Sequence, residues 1–247
     1  MNKILVLALA AALAVPAAFA QNNVQSSAQK ALNASRFKDV HVSVQNGVAT
    51  LNGTVSVYAN KMNAEQKIRH VKGVQAIRDE IQVAGSEIPD PKLQSQLIDK
   101  ISYSLLGYVP VAFQAISVQV HNGVVLLGGH AAGPIAASDA VAAVENTKGV
   151  KDVIDNIQVD PVSPMDQRIR IEAFRRIYGY PMLNKYAIDP EKPIRIQVAN
   201  GHITLYGTVD SEADKNAAGL QANGVSGAFS VTNDLQVANA NNEKASK

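Results

Sequence analysis

Apolar residues recur in one pattern three times along the chain. In each copy they alternate with other residues over two short runs, and an Asn-Gly pair separates the runs. Alternation with a period of two predicts β-strands, and Asn-Gly between two such runs predicts a hairpin, because this pair tolerates the positive φ angles of a type I′ turn. The three pairs are Asn46-Gly47, Asn122-Gly123 and Asn200-Gly201.

Two further glycines and a closing Gln-Val keep a fixed distance from each Asn-Gly pair. The three copies therefore agree over a 38-residue frame without a gap, which indicates an internal repeat. The first of these glycines lies near the end of the second strand, where a missing side chain indicates a bulge or a close backbone approach. The sets are Gly53, Gly73 and Gln82-Val83; Gly129, Gly149 and Gln158-Val159; Gly207, Gly227 and Gln236-Val237.

Helices are predicted on both sides of each hairpin. One fills the stretch between the two later glycines, and another precedes the hairpin, starting at Asp90-Pro91 in the second copy and Ser163-Pro164 in the third. In the first copy its start is less clear, near Val24 to Ala34. The fold class is therefore α+β, with three tandem α-β-β-α-β modules, each a three-stranded sheet with two helices on one face.

The first twenty residues predict export. A positive start at Lys3 precedes an apolar run from Ile4 to Val15, and Ala18-Phe19-Ala20 matches a cleavage pattern before Gln21. These features are typical of a secretory signal peptide and place the mature protein in the periplasm, with no transmembrane span after cleavage. The predicted organisation is a signal peptide at 1–20, modules at 21–85, 86–160 and 161–238, and a disordered tail at 239–247.

Composition narrows the function classes. The chain has no cysteine, and removing Lys3 leaves 22 basic against 21 acidic residues. Near-neutral charge argues against a nucleic-acid partner, which needs many phosphate contacts. The five histidines show no ligand spacing, and no nucleophile elbow or phosphate-binding glycine loop is present. We therefore expect no catalytic residues, no metal site and no cofactor.

The frame itself resembles the BON domain. Its hydrophobic-x-Asn-Gly-x-hydrophobic-x-Leu-x-Gly core, its later glycine and its closing Asn/Asp-x-Ile/Leu-x-Val occur three times in one register. The resemblance implies a non-enzymatic envelope protein, since the family includes osmotically induced periplasmic proteins and outer-membrane-associated lipoproteins. Phospholipid binding and envelope maintenance are the roles it implies. The matching segments are Val44–Gly53, Gly73 and Asp79–Val83; Val120–Gly129, Gly149 and Asp155–Val159; Val198–Gly207, Gly227 and Asn233–Val237.

One predicted helix, from about Asp166 to Tyr178, is a candidate contact surface. Arginines occupy one face and aromatic residues its edge, a composition typical of an interfacial membrane contact. The same pattern also fits a salt-bridged solvent face above the core of the module, with Glu172 between two arginines. Arg170 falls inside the apolar arc, and the pattern does not explain it. The lipid- or partner-contact candidates here are Arg168, Phe174, Arg175, Arg176, Tyr178 and Tyr180.

Two apolar features outside this helix are also candidate contact surfaces. The insertion at 107–115 contains Tyr108, Val109 and Phe113, which we expect either to be covered by a neighbouring module or to contact a bilayer or protein. On the helix-free sheet face of the second module, Leu126 is apolar where the first module has Thr50, and Val124 precedes it by two residues on the same face, which marks Val124 and Leu126 as inter-module contact candidates. A second insertion, at 179–193, has no predicted role.

Two functions remain open at this point. One is a periplasmic protein that binds anionic phospholipid surfaces, as the resemblance and the arginine-aromatic helix indicate. The other is a protein-interaction or chaperone-like envelope adaptor, as three tandem surfaces without special chemistry indicate. The sequence favours the lipid surface slightly.

Overall fold

The computed structural model describes residues 15–85, 87–105, 111–161, 163–187 and 193–238, with side chains from 23 onward and excluding that of residue 111. Most of the predicted signal peptide, the candidates Tyr108 and Val109, and the predicted tail at 239–247 lie outside the described residues. The chain divides into two compact units, one within 1–85 and one within 86–247.

The first unit holds one module. Its sheet has the order β1-β2-β3, in which β1 is antiparallel and β3 parallel to the central strand. Inward-facing Val40, Val42 and Val44 alternate with exposed residues along the first strand, so half of the pattern packs beneath the helices. The elements are α1 (Val15–Ala31), β1 (Val40–Gln45), β2 (Val48–Val55), α2 (Tyr58–Arg69) and β3 (Ala76–Val83).

The second unit holds two modules with the same element order, so the predicted α-β-β-α-β repeat is confirmed. In both, the third strand is split into two short pieces that run parallel to the second strand, and in module 3 the second strand is split as well, so that each piece pairs with its own partner. Module 2 comprises α3 (Asp90–Ser104), β4 (Ala115–His121), β5 (Val124–Ala131), α4 (Pro134–Glu145), β6 (Asp152–Asp155) and β7 (Gln158–Val159). Module 3 comprises α5 (Pro164–Tyr178), β8 (Arg195–Ala199), β9 (His202–Tyr206), β10 (Thr208–Val209), α6 (Glu212–Asn223), β11 (Ser230–Asn233) and β12 (Gln236–Val237).

The hairpin turns have the predicted geometry. Asn46, Asn122 and Asn200 have φ angles of 50°, 52° and 52°, and the glycine after each has a φ of 78° to 80°. Positive φ at both central residues defines a type I′ turn, whose twist matches that of the flanking strands. The repeated Asn-Gly pairs therefore set the register of all three hairpins.

The repeat glycine near the end of the second strand is required by a close backbone approach, as the pattern predicted. At Gly53 and Gly129 an added Cβ would lie 2.0 Å from the carbonyl oxygens of Asp39 and Ala115 respectively. Both glycines also have positive φ, 117° and 82°. A side chain there would have to push the two hairpin strands apart.

A polar side chain of the first helix reaches the outer edge of the hairpin in every module. In module 1, Gln25 donates to the Val42 carbonyl (2.8 Å) and accepts from the Val44 amide (2.7 Å). In module 2, Gln94 accepts from the Val120 amide (3.2 Å). In module 3 the position is Arg170, whose Nη2 donates to the Val198 carbonyl at 2.9 Å. Arg170 therefore satisfies an otherwise unpaired strand edge, which explains its place in the apolar arc.

Gly129→Ala should destabilise the protein by about 2 kcal/mol or more, because the new Cβ would combine a left-handed backbone with a steric clash. The matched control is Gly133→Ala in the same module. Gly133 has no positive φ, and an added Cβ there meets nothing within 4 Å. Chemical denaturation of both variants would measure the difference, and equal losses would contradict this account of the repeat glycine.

Candidate functional site

The start of α5 is fixed to the hairpin turn of its own module. Ser163 caps the helix, accepting from the Asp166 amide at 3.2 Å. The buried Asp166 carboxylate in turn accepts from the turn amides of Asn200 (3.0 Å) and Gly201 (2.7 Å). Asp90, the first residue of α3, binds the corresponding turn of module 2 in the same way. The carboxylate thus fixes the angle at which the helix crosses the sheet.

The aromatic residues of α5 face inward. Tyr178 is buried, and its hydroxyl donates to the Ile194 carbonyl at 2.6 Å. Burial raises the pKa of Tyr178 well above its usual range. Phe174 is half-buried, with its ring centroid 4.8 Å from that of Tyr178. Tyr178 therefore belongs to the interior of module 3, and Phe174 lies at the border of that interior.

Phe113 from the module 2 insertion completes this aromatic cluster. Its ring lies edge-on to Phe174 at 5.7 Å, and the Arg170 guanidinium lies 5.8 Å from its centroid. Phe113 is buried in the same core cluster as Ile177 and Ile196 of module 3. Of the two alternatives left open for this residue, covering by the neighbouring module is the one observed.

The outward face of α5 carries the arginines. Arg168, Arg175 and Arg176 are exposed, and Glu172 pairs with Arg176 at 3.0 Å. The side chains of Arg168 and Arg175 make no ion pair or hydrogen bond with any described residue. Two free positive charges therefore remain on this face, while Tyr180, 38% exposed, lies just beyond the end of the helix.

A groove of about 600 Å³ runs between this face and the loop at Gly227. Arg168 and Arg175 border it together with Met165 and Ile171. Met165 is 43% exposed, and an added Cβ at Gly227 would lie 3.8 Å from the Met165 Cε atom, so the loop lies against the helix start. The groove therefore joins a mainly apolar lining to two free guanidinium groups and to the Glu172 carboxylate, which pairs with Arg176.

Phe229, next to this loop, was not among the contact residues predicted from the sequence. It is 71% exposed, its amide donates to the Gly201 carbonyl (2.8 Å), and its ring lies 5.9 Å from that of His202. The amides of Gln75 and Lys151 make the corresponding bonds to Gly47 and Gly123 in the other modules. A phenylalanine at a frame position that is polar in the other two copies is the signal that identifies it.

The insertion after α5 is anchored by a buried carboxylate. It forms a 3₁₀ turn at Asn184–Ala187, and Tyr186 donates to Asp214 at 2.7 Å, while Lys185 lies 3.0 Å from the same oxygen. Burial alone would raise the pKa of Asp214, but the hydrogen bonds from Tyr186, Lys185 and Ser211 outweigh it and lower that pKa. The described part of the insertion is thus tied to the start of α6.

Module 2 has its own apolar surface on the helix-free face of the sheet. Val124 and Leu126 are half-buried there, and Ile154, opposite Leu126 in the register, is 48% exposed. Contacts between modules 2 and 3 include the Phe113 cluster and a 2.5 Å hydrogen bond from Arg195 to the Gln114 carbonyl. An inter-module role for Val124 and Leu126 stays a prediction.

The described part of the chain was compared with the requirements of a membrane-spanning helix and of a metal site. Within these ranges no helix combines the length and apolar content that crossing a bilayer requires. The same residues include no group of three or more His, Asp or Glu side chains placed to hold a metal ion.

The architecture defines the class of protein: tandem copies of a small module in which two helices cover one face of a mixed three-stranded sheet. Comparison with protein-family models matches the BON domain over residues 20–85, 89–161 and 182–239. The chain belongs to the BON domain family.

Individual proteins are similar to this chain only at low sequence identity. Osmotically-inducible protein Y of Escherichia coli is 27% identical over 145 residues, which cover 58% of this chain and 71% of that protein. Among solved structures, CdsD, a structural protein of the type III secretion system of Chlamydia trachomatis, is 14% identical, with 91% of this chain and 98% of that chain covered and a TM-score of 0.25. The CdsD C-terminal domain is 13% identical, with 87% and 96% covered and a TM-score of 0.24. Neither structural likeness is close enough to support a conclusion.

Asp214→Asn should lower the free energy of unfolding at pH 7 by about 1–3 kcal/mol, because two donors lose a charged acceptor. Since the folded-state pKa is lowered, this stabilisation is complete above the ordinary carboxyl pKa of about 4 and is lost as the pH falls through the folded-state value. The difference between wild type and variant should therefore shrink in acid. Asp210→Asn, at an exposed carboxylate that also pairs with Lys185, is the control and should cost under about 1 kcal/mol. A difference that persists unchanged at pH 2 would contradict the role of the charge.

Proposed function

We propose that this BON-family protein is an exported envelope protein that binds anionic phospholipid surfaces through the outward face of α5. The relative named for osmotic induction supports a role in the envelope under osmotic stress. The signal-peptide pattern of the first twenty residues supports a periplasmic location. The observation that carries the proposal is the pair of free guanidinium groups, Arg168 and Arg175, on the border of an apolar groove.

Electrostatics provides the first part of the binding. A cation close to an anionic membrane surface contributes about 1 kcal/mol, and this contribution fades as ionic strength rises. Arg176 contributes less, because Glu172 already neutralises it at 3.0 Å. Arg168 and Arg175 make no ion pair with a described carboxylate, so neither has to release one before it meets a lipid phosphate. A guanidinium matches phosphate oxygens with two parallel hydrogen bonds.

Exposed apolar side chains provide the second part. Met165 lies on α5 beside the Gly227 loop and is 43% exposed, and Phe229 lies at the end of that loop, directly before β11, and is 71% exposed. Transfer of such side chains from water to the acyl boundary gains about 25 cal/mol per Å² of apolar area. Phe113 and Tyr178 are buried, so the contact we propose does not use them, and Tyr180 lies at its margin.

The test is sedimentation of the mature protein with vesicles of phosphatidylcholine alone or mixed with phosphatidylglycerol. We expect pelleting only with the anionic vesicles, and less of it in high salt. Replacing Arg168 and Arg175 by glutamine should weaken the binding about tenfold or more, since two contributions of about 1 kcal/mol are lost.

The matched control replaces Lys72 and Arg78 by glutamine, which removes the same charge from exposed positions of module 1. If this control weakens binding as much as the arginine pair does, net charge and not the α5 face governs the interaction. Equal binding to neutral vesicles would contradict the electrostatic account.

A protein-interaction role is the second candidate. The observation in its favour is the apolar helix-free face of module 2, where Ile154 is exposed beside Leu126. A protein partner covering this face would bury area that a membrane contact through α5 leaves open. Failure to pellet with either vesicle, together with a defined partner lost on Ile154→Ser, would favour this function over lipid binding.

A further inference from the structure

A buried carboxylate lies at the junction between modules 2 and 3. Asp160 directly follows β7, and its amide donates to the Ala131 carbonyl of β5 at 2.8 Å, so its backbone belongs to module 2. Asp160 is only 4% exposed. A carboxylate buried to this extent is costly unless partners compensate its charge.

The partners of Asp160 come from both modules. Its Oδ1 accepts from Gln197 Nε2 of β8 at 3.0 Å and lies 3.2 Å from His130 Nδ1 of β5. Its Oδ2 lies 3.6 Å from Nη2 of Arg170, itself buried on α5. Module 2 therefore supplies the anion, and module 3 supplies the buried cation.

The cation is held in place by module 3. Arg170 donates from Nη2 to the Val198 carbonyl (2.9 Å) and from Nη1 to Gln167 (2.9 Å). Gln197 is likewise fixed, because its Oε1 accepts from the Tyr206 hydroxyl at 3.1 Å. Because both groups are held within module 3, separation of the modules would break the Asp160–Arg170 ion pair and the hydrogen bond from Gln197 to Asp160.

The first junction of the chain has different residues at the matching positions, which directly follow the closing Gln-Val or lie four residues after the turn-binding Asp90 and Asp166. Ala84 takes the place of Asp160, and Gln94 takes the place of Arg170. Gln94 performs the strand-edge role without a charge, since it accepts from the Val120 amide. Arginine at position 170 is thus not needed for the edge contact alone.

We infer that Asp160 and Arg170 form a latch that makes modules 2 and 3 a single cooperatively opening body. The latch fixes α5 relative to module 2. It requires no lipid and is independent of the proposed function. Breaking one partner leaves an uncompensated charge, whereas replacing both by the residues of the first junction removes the coupling without that penalty.

The test is native-state hydrogen exchange of the full mature chain in low denaturant, read for amides of β5 and β9. In the wild type we expect both strands to open with one free energy and one denaturant dependence. Asp160→Ala and Arg170→Gln should each speed exchange about a hundredfold in both modules, and the double variant should speed it by much less than the product of the two.

The double variant should also open β5 and β9 separately. Asp152→Ala, at an exposed carboxylate of the same module, is the control and should leave the common opening intact. Two outcomes would overturn the latch: single variants that affect only the module carrying them, or a double variant equal to the product of the singles. If a single variant fails to fold, the wild type and the double variant still decide between common and separate opening.

Discussion

The side chain that links the first helix of each module to the outer edge of its hairpin is the contact on which the arrangement depends. An edge strand exposes unpaired amide and carbonyl groups. The helix that crosses it must either form hydrogen bonds with these groups or leave them accessible to water. Gln25 does this with both ends of its amide, and Gln94 with its oxygen. Because this contact fixes the crossing of helix and sheet, it also decides which helix face remains outside.

Module 3 makes the same contact with a charged side chain, and its junction with module 2 is built around that side chain. A guanidinium at position 170 can donate to the strand edge, but it brings a buried positive charge that requires an anion. Asp160 at the end of module 2 is that anion, and the ring of Phe113 lies 5.8 Å from the same guanidinium. The junction is therefore closed by residues of both modules, and the opposite face of α5, with Arg168 and Arg175, is left to solvent.

The sequence was sufficient for whatever depends on local geometry. Asn-Gly pairs and the glycine at 129 report backbone angles that few other residues adopt, so hairpins, register and module order could be predicted. The site was predictable only in part: Arg168 and Arg175 are exposed as the helical pattern indicates, but Phe113 and Tyr178 are buried by contacts distant in sequence. Exposure of Phe229 could be inferred only from the repeat frame, in which the other two copies have Gln75 and Lys151 at this position, because hydrophobic periodicity does not extend over the loop.

Paramagnetic broadening measures most directly whether the outward face of α5 is where this protein meets a membrane. Isotope-labelled mature protein would be mixed with bicelles that contain phosphatidylglycerol and a lipid with a nitroxide headgroup. The account predicts that amide signals broaden most along the exposed side of α5 between Met165 and Arg175 and at Gly227 to Phe229. Broadening centred on the strands of module 2 that carry Leu126 and Ile154, or none above that seen with neutral bicelles, would contradict it.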